Sequence, residues 1–125
     1  MKANELRIGN YVNEEYGGIY EVININSEVL DYVDLRKPTF KAIGRFDINS
    51  IKPIQLTEEL LLKCGFEYKN PFGYRMKQGC YLKDCLDIKG YYFRWKGQTL
   101  AIVDSLHSLQ NIFFALTNQE LKIIL

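Results

Sequence analysis

The spacing of apolar positions changes character once along this chain, near residues 55–57, and the change divides the sequence into two parts. Before it, apolar residues fall in short runs separated by turn-forming residues, the signature of strands. "LRIGNYVN" puts Leu6 and Ile8 on one strand face, with Gly9–Asn10 as a bulge before Tyr11 and Val12. Gly17–Gly18 predicts a turn. The following "IYEVININ" sets Tyr20, Val22 and Asn24 on one side and Ile19, Ile23 and Ile25 on the other, so that both faces find cover. Further strands are predicted in "EVLDYVDL" and in "TFKAIGRFDI", with a bulge at Gly44. A last one, in "NSIKPI", must end by Pro53, which has no N–H to give a ladder. Five short strands at this spacing predict a small antiparallel SH3-like β-barrel over residues 1–55.

From Leu56 the period becomes helical. "LTEELLLKCGFEY" predicts a helix with Thr57 as N-cap, Glu58 and Glu59 at its positive end, and Gly65 as a left-handed stop with Phe66 folded back in a Schellman contact. Strands follow around Tyr74–Met76, Cys80–Leu82, Asp87–Lys96 and Thr99–Val103. Ser105 opens a second helix whose Leu106, Leu109, Ile112, Phe113 and Leu116 form one stripe, ended by Asn118 in the left-handed region. The closing "LKIIL" is assigned to a last strand. The expected fold class is α+β, the barrel packing on an α-β-β-β-α subdomain over residues 56–125.

The densest chemistry lies in "KGYYFRWKGQTLAIVD", residues 89–104. A two-residue type II′ turn at Gly97–Gln98 sets Trp95 against Leu100 and Phe93 against Ile102. Tyr91, Phe93, Trp95, Leu100 and Ile102 then form a core face, with Tyr92, Arg94, Lys96, Thr99, Ala101 and Val103 on the other. Tyr92, Arg94 and Lys96, joined by Arg75, Lys77 and Lys83 from neighbouring strands, make the candidate binding face. It offers a ring to stack on and cations for phosphates. The alternative is a solvated face whose Lys and Arg keep it soluble.

Composition sharpens this reading. The 125 residues carry a net charge of only +1, so no global field draws a polyanion. The charge is uneven: residues 1–56 hold seven Lys/Arg against eight Asp/Glu, whereas residues 68–96 hold seven against two. Three cysteines, a polar amino-terminal stretch and the absence of a long apolar run lead to the expectation of a reduced, cytoplasmic protein. Catalytic and cofactor motifs are missing. The one histidine, His107, lies beside Asp104 and Ser105 in sequence, but neighbours on a helix point apart and make no triad. Cys64, Cys80, Cys85 and His107 lack the knuckle spacing of a zinc site, so no metal is expected. No phosphate-binding glycine motif occurs, so no cofactor is expected either.

Three segments together carry a resemblance: "NELRIGNYV" at 4–12, "IKPIQLTEELLLKCGFEY" at 51–68 and "LHSLQNIFFALTNQEL" at 106–121. In that order they resemble a family of small uncharacterised proteins encoded by Bacteroides-type gut anaerobes, their phages and their mobile elements. Members of that family typically carry "ELRIGN", "PIPLTEEWLLKFGF" and "HQLQNLYFALTGEEL". Here Leu60 stands where a Trp is common, Cys64 where an aromatic is, and Asn118 where a Gly is. The resemblance implies a phage or mobile-element accessory protein that binds a host or element component. The expectation is thus a non-enzymatic binding module. A protein partner would be met through exposed aromatics such as Tyr16, Tyr32 or Tyr74. The alternatives are nucleic-acid binding through residues 74–96, and a small enzyme with an unrecognised site. No membrane contact is expected.

Overall fold

Glycine and polar breaks cut the first part of the chain into β1 (Tyr11–Glu14), β2 (Ile19–Asn26), β3 (Tyr32–Arg36), β4 (Ile43–Asp47) and β5 (Ile51–Lys52). In the computed structural model, which describes residues 3–15, 17–26, 32–37, 43–69, 73–76, 79–85 and 89–124 apart from the side chains of Ala3 and Arg75, these strands form one antiparallel sheet ordered β4-β3-β2-β1-β5. Alternation sends Val12, Val22, Val33 and Leu35 into a buried cluster with Leu6, Ile48 and Ile51, against which Tyr20, Ile25 and Phe46 pack. The register of β2 against β3 slips between Val22 and Asn24. That bulge turns Ile25 to the face that holds Tyr20 and Val22, so the strict alternation expected along β2 does not hold. Leu6 and Ile8 do not form a strand either. Leu6 is buried after a 3-10 turn at Ala3–Glu5, and Ile8 is exposed beside Gly9.

The first helix, α1 (Glu58–Lys63), follows its sequence signals closely. The Thr57 hydroxyl accepts from the Leu60 N–H at 3.2 Å, and Glu58 and Glu59 sit in the first turn. At the other end Gly65 has φ +90°, with Gly65 N–H donating to Leu62 O and Phe66 N–H to Leu61 O, both at 3.1 Å. This is the Schellman arrangement, and it buries Phe66.

Five strands, against the four segments expected from the pattern, follow α1: β6 (Glu67–Lys69), β7 (Gly73–Arg75), β8 (Cys80–Asp84), β9 (Tyr91–Trp95) and β10 (Gln98–Val103), ordered β10-β9-β8-β7-β6. The extra strand is β6, whose "EYK" lies after the Gly65 stop and is not read as a strand from pattern alone. The second helix, α2 (Leu106–Thr117), ends at Asn118, which takes φ +56° and donates its N–H to Phe114 O at 2.8 Å. The strand expected in "LKIIL" is absent among the described residues. Residues 121–124 join no ladder, and Ile124 N–H donates to Lys63 O instead.

The chain is therefore α+β, with two antiparallel five-stranded sheets, one curled as a half-barrel, and two helices. It divides into two compact units. Unit 1 is Met1–Ile54 with Leu106–Asn111, and unit 2 is Gln55–Ser105 with Ile112–Leu125. No helix among the described residues is long and apolar enough to cross a membrane.

Candidate functional site

The sorting of the β9–β10 hairpin decides which side chains are available. Its turn is Lys96–Gly97, not Gly97–Gln98. Both central residues have positive φ (+51° and +81°), and Gln98 pairs with Trp95. This is the type I′ geometry, whose twist matches that of the strands, and it moves the register next to the turn by two residues. A bulge between Thr99 and Ala101 then absorbs Leu100, leaving Ala101 opposite Phe93, Ile102 opposite Tyr92 and Val103 opposite Tyr91. The inward set is thus Phe93 and Val103 with the half-buried Tyr91, Trp95 and Ala101. Leu100 and Ile102, expected in the core, are 44% and 49% exposed. Ala101 and Val103, expected outside, point the other way.

Seen from solvent, the second sheet presents two rows that cross its strands. One runs through the positions of Glu67, Arg75, Tyr81, Arg94 and Thr99, and the next through Lys83, Tyr92 and Ile102. Tyrosine and cation alternate along each row. Tyr92 is 38% exposed, Lys83 is exposed and Arg94 is half-buried, its guanidinium donating to Gly97 O at 3.1 Å. Lys96 lies in the turn and not in a strand. Its ammonium sits 4.5 Å from the centre of the Trp95 ring, so it borders the face without being in its rows. Of the other expected residues, Arg75 holds its register position opposite Tyr81, and Lys77 lies outside the described residues. Tyr81 was missed by sequence reasoning, and only the β8–β9 register reveals it beside Arg94.

The electrostatics of the two sheets differ at equivalent positions. In the first sheet both cross-strand arginines meet a carboxylate, Arg36 with Glu21 at 3.0 Å and Arg45 with Asp34 at 3.1 Å, whereas Lys52 lies opposite Asn13. In the second sheet the cross-strand partners of Lys83 and Arg94 are Tyr92 and Tyr81. Among the described residues neither cation forms an ion pair. One carboxylate does lie in these rows, Glu67, whose cross-strand register partner is Arg75. Glu67 is bound at 3.5 Å to Lys69 on its own strand, and Asp84 falls at the end of β8 opposite Tyr91.

The inner side of the same sheet carries an aromatic line, Tyr68 against Tyr74 (5.3 Å between centroids) and Tyr74 against Tyr91 (6.0 Å), both edge-on. Tyr74, expected as an exposed contact residue, is only 4% exposed. Burial, aided by the Glu58 carboxylate that accepts from its hydroxyl, raises its pKa well above the usual phenol value. Burial also raises that of Tyr91, with Asp84 and Glu58 adding to the effect. Tyr32, a second expected contact, is half-buried with Arg45 stacked 4.1 Å over its ring, and Tyr16 lies outside the described residues. The cysteines are free thiols. Burial pushes Cys64 up to about 12 and Cys80 to about 11, which keeps both protonated and poorly nucleophilic. No three His, Cys, Asp or Glu side chains converge as a metal site among the described residues.

Two of the segments that carry the family resemblance prove to be bound to each other within unit 1. Gln110 accepts from the Tyr11 N–H at 2.8 Å and donates to Gly9 O at 3.1 Å. Asn111 accepts from Asn10 at 2.8 Å and from Arg7 at 3.2 Å, and donates to Glu5 O at 3.0 Å. Asn10 in turn accepts from the Arg7 N–H. Buried amides must be satisfied, and here the "RIGN" loop and the "QN" of α2 satisfy one another. His107, one turn earlier and buried, sits 3.9 Å from the Glu5 carboxylate. These residues hold a loop on a helix.

Comparison with family models, with curated proteins and with solved structures finds no match.

Proposed function

We propose that this chain is a non-enzymatic binding module that takes up single-stranded nucleic acid on the solvent face of its second sheet. The observation that carries this reading is the pairing of Lys83 and Arg94 with tyrosines where the first sheet pairs its arginines with carboxylates. Cations without carboxylate partners attract phosphates, and an exposed ring such as Tyr92 stacks on any base. A sheet face that alternates the two serves a flexible strand better than a duplex, whose bases are already stacked. A protein partner is less well supported, because Tyr74 is buried and Tyr32 is covered by Arg45. The raised thiols of Cys64 and Cys80 make neither a ready nucleophile, which suits a binding role.

We read the first unit as an SH3-like barrel. The support is its strand order, β4-β3-β2-β1-β5, and the 3-10 turn at Ile48–Ser50 that joins β4 to β5. The family resemblance adds the setting of a phage or mobile-element accessory protein in the cytoplasm of a bacterium, and three free thiols suit a reducing compartment. Fluorescence anisotropy with labelled DNA and RNA oligonucleotides, single- and double-stranded, tests the reading. Binding to single strands that weakens with salt and with Tyr92→Ala is expected. Absence of binding at low salt refutes it.

A further inference from the structure

We infer that the second sheet takes an extended, unstacked strand rich in pyrimidines, and that Tyr81 is the second ring that sets this preference. The inference rests on the nucleic-acid binding proposed above and adds the form of the strand. β8 and β9 pair without a bulge from Cys80 opposite Trp95 to Asp84 opposite Tyr91. Their fully buried residues, Cys80, Leu82 and Phe93, fix the alternation. Tyr81 and Lys83 of β8 therefore share the outer face with Tyr92 and Arg94 of β9. Tyr81 lies opposite Arg94 and Lys83 opposite Tyr92, so the four positions form a square with the tyrosines on one diagonal and the cations on the other.

Diagonal neighbours on an antiparallel pair stand roughly 7–8 Å apart. Stacked bases along one strand are separated by only about 3.4 Å. Two successive bases that each seat on one of these rings must come apart, with the backbone drawn out to about twice its stacked rise. The line joining the rings crosses the line joining the cations, so the phosphate between the two nucleotides passes between Lys83 and Arg94. Arg94 is already steadied there by the bond from its guanidinium to Gly97 O at 3.1 Å. A ring beside a cation, repeated once, matches one base and one phosphate per nucleotide. Pulling bases apart costs most in purine runs, which stack on themselves, and least in pyrimidine runs, so the geometry favours thymine and uracil over adenine.

The test is fluorescence anisotropy with labelled thymidine and deoxyadenosine octamers at one salt concentration. The parent chain should bind the thymidine strand about fivefold or more tightly than the adenosine strand. Tyr81→Leu removes the ring and keeps an apolar side chain. It should cost the thymidine strand about fivefold or more and bring the two affinities together, since a single ring seats a terminal base without opening the stack. Tyr81→Phe keeps the ring and should keep the preference. The comparison of strands is made on the unaltered protein, so it decides the question even where a variant loses its circular dichroism spectrum. Equal affinity for the two strands, a preference for adenosine, or a thymidine preference that a folded Tyr81→Leu variant retains would each overturn this inference while leaving the binding face standing. Binding to neither strand would remove the face itself, and the inference with it.

Discussion

The two sheets use the same cross-strand positions for opposite ends. In the first, Glu21 faces Arg36 and Asp34 faces Arg45, so both arginines are neutralised by the strand beside them. In the second, Tyr92 faces Lys83 and Tyr81 faces Arg94. Surface ion pairs of the first kind contribute at most about 1 kcal/mol each, so stability hardly explains the choice between carboxylate and tyrosine. What changes is the potential outside the protein. On the first face the arginines are neutralised, and on the second Lys83 and Arg94 keep their charge without an ion pair among the described residues.

The contrast can be broken most severely by building the first sheet's arrangement into the second. Tyr92→Glu opposite Lys83, combined with Tyr81→Glu opposite Arg94, should abolish oligonucleotide binding, about a hundredfold or more, since it removes both rings and neutralises both cations. A melting temperature close to that of the parent would show that the sheet itself survives. Tyr92→Ala alone should weaken binding by about 1–3 kcal/mol, the usual worth of one base–aromatic stack, readable by anisotropy at fixed salt.

A second difference between the units is alkaline sensitivity. Cys64, raised to about 12, Cys80, raised to about 11, and Tyr74 and Tyr91, raised above the usual phenol value, all lie in unit 2. A group whose folded pKa is raised holds its proton longer when folded than when unfolded. Stability is therefore lost as pH climbs from the unfolded value, about 9 for a thiol and 10 for a phenol, through the folded one. Amide exchange followed across that range should show β7–β9 opening before β1–β3. Simultaneous opening would mean that the two units do not differ in this respect. The smallest effect is expected from Glu21→Gln with Asp34→Asn. Each exposed pair lost should cost under about 1 kcal/mol in denaturant unfolding, and oligonucleotide affinity through the second sheet should stay within about twofold.

Much of the scaffold was legible from sequence because its signals are local. Thr57, Gly65 and Phe66 mark the ends of α1 by cap chemistry that depends on neighbours within six residues. Asn118 does the same for α2. The hairpin failed for a subtler reason. "WKGQ" admits a glycine-first II′ turn and a glycine-second I′ turn, and only the left-handed φ of Lys96 separates them. That turn shifts the register by two residues, which keeps the faces, and the bulge at Leu100 then takes one back, exchanging Leu100 and Ile102 for Ala101 and Val103 in the inward row. Tyr92 and Arg94 kept their side because β9 alternates without a bulge. The carboxylate–cation matching of the first sheet, and the place of Tyr81 beside Arg94, depend on registers between strands and leave no trace in spacing along the chain. The Gln110–Gly9 and Asn111–Asn10 bonds, joining residues about a hundred apart, were likewise invisible.

The central claim is that the second sheet's cations are held for phosphates. The most direct measurement is the salt dependence of single-strand binding by the parent chain and by Lys83→Ala with Arg94→Ala. The account predicts a linear fall of log affinity with log salt, shallower in the variant by about 0.7 for each cation removed. An unchanged slope, or affinity indifferent to salt in the parent, would contradict it.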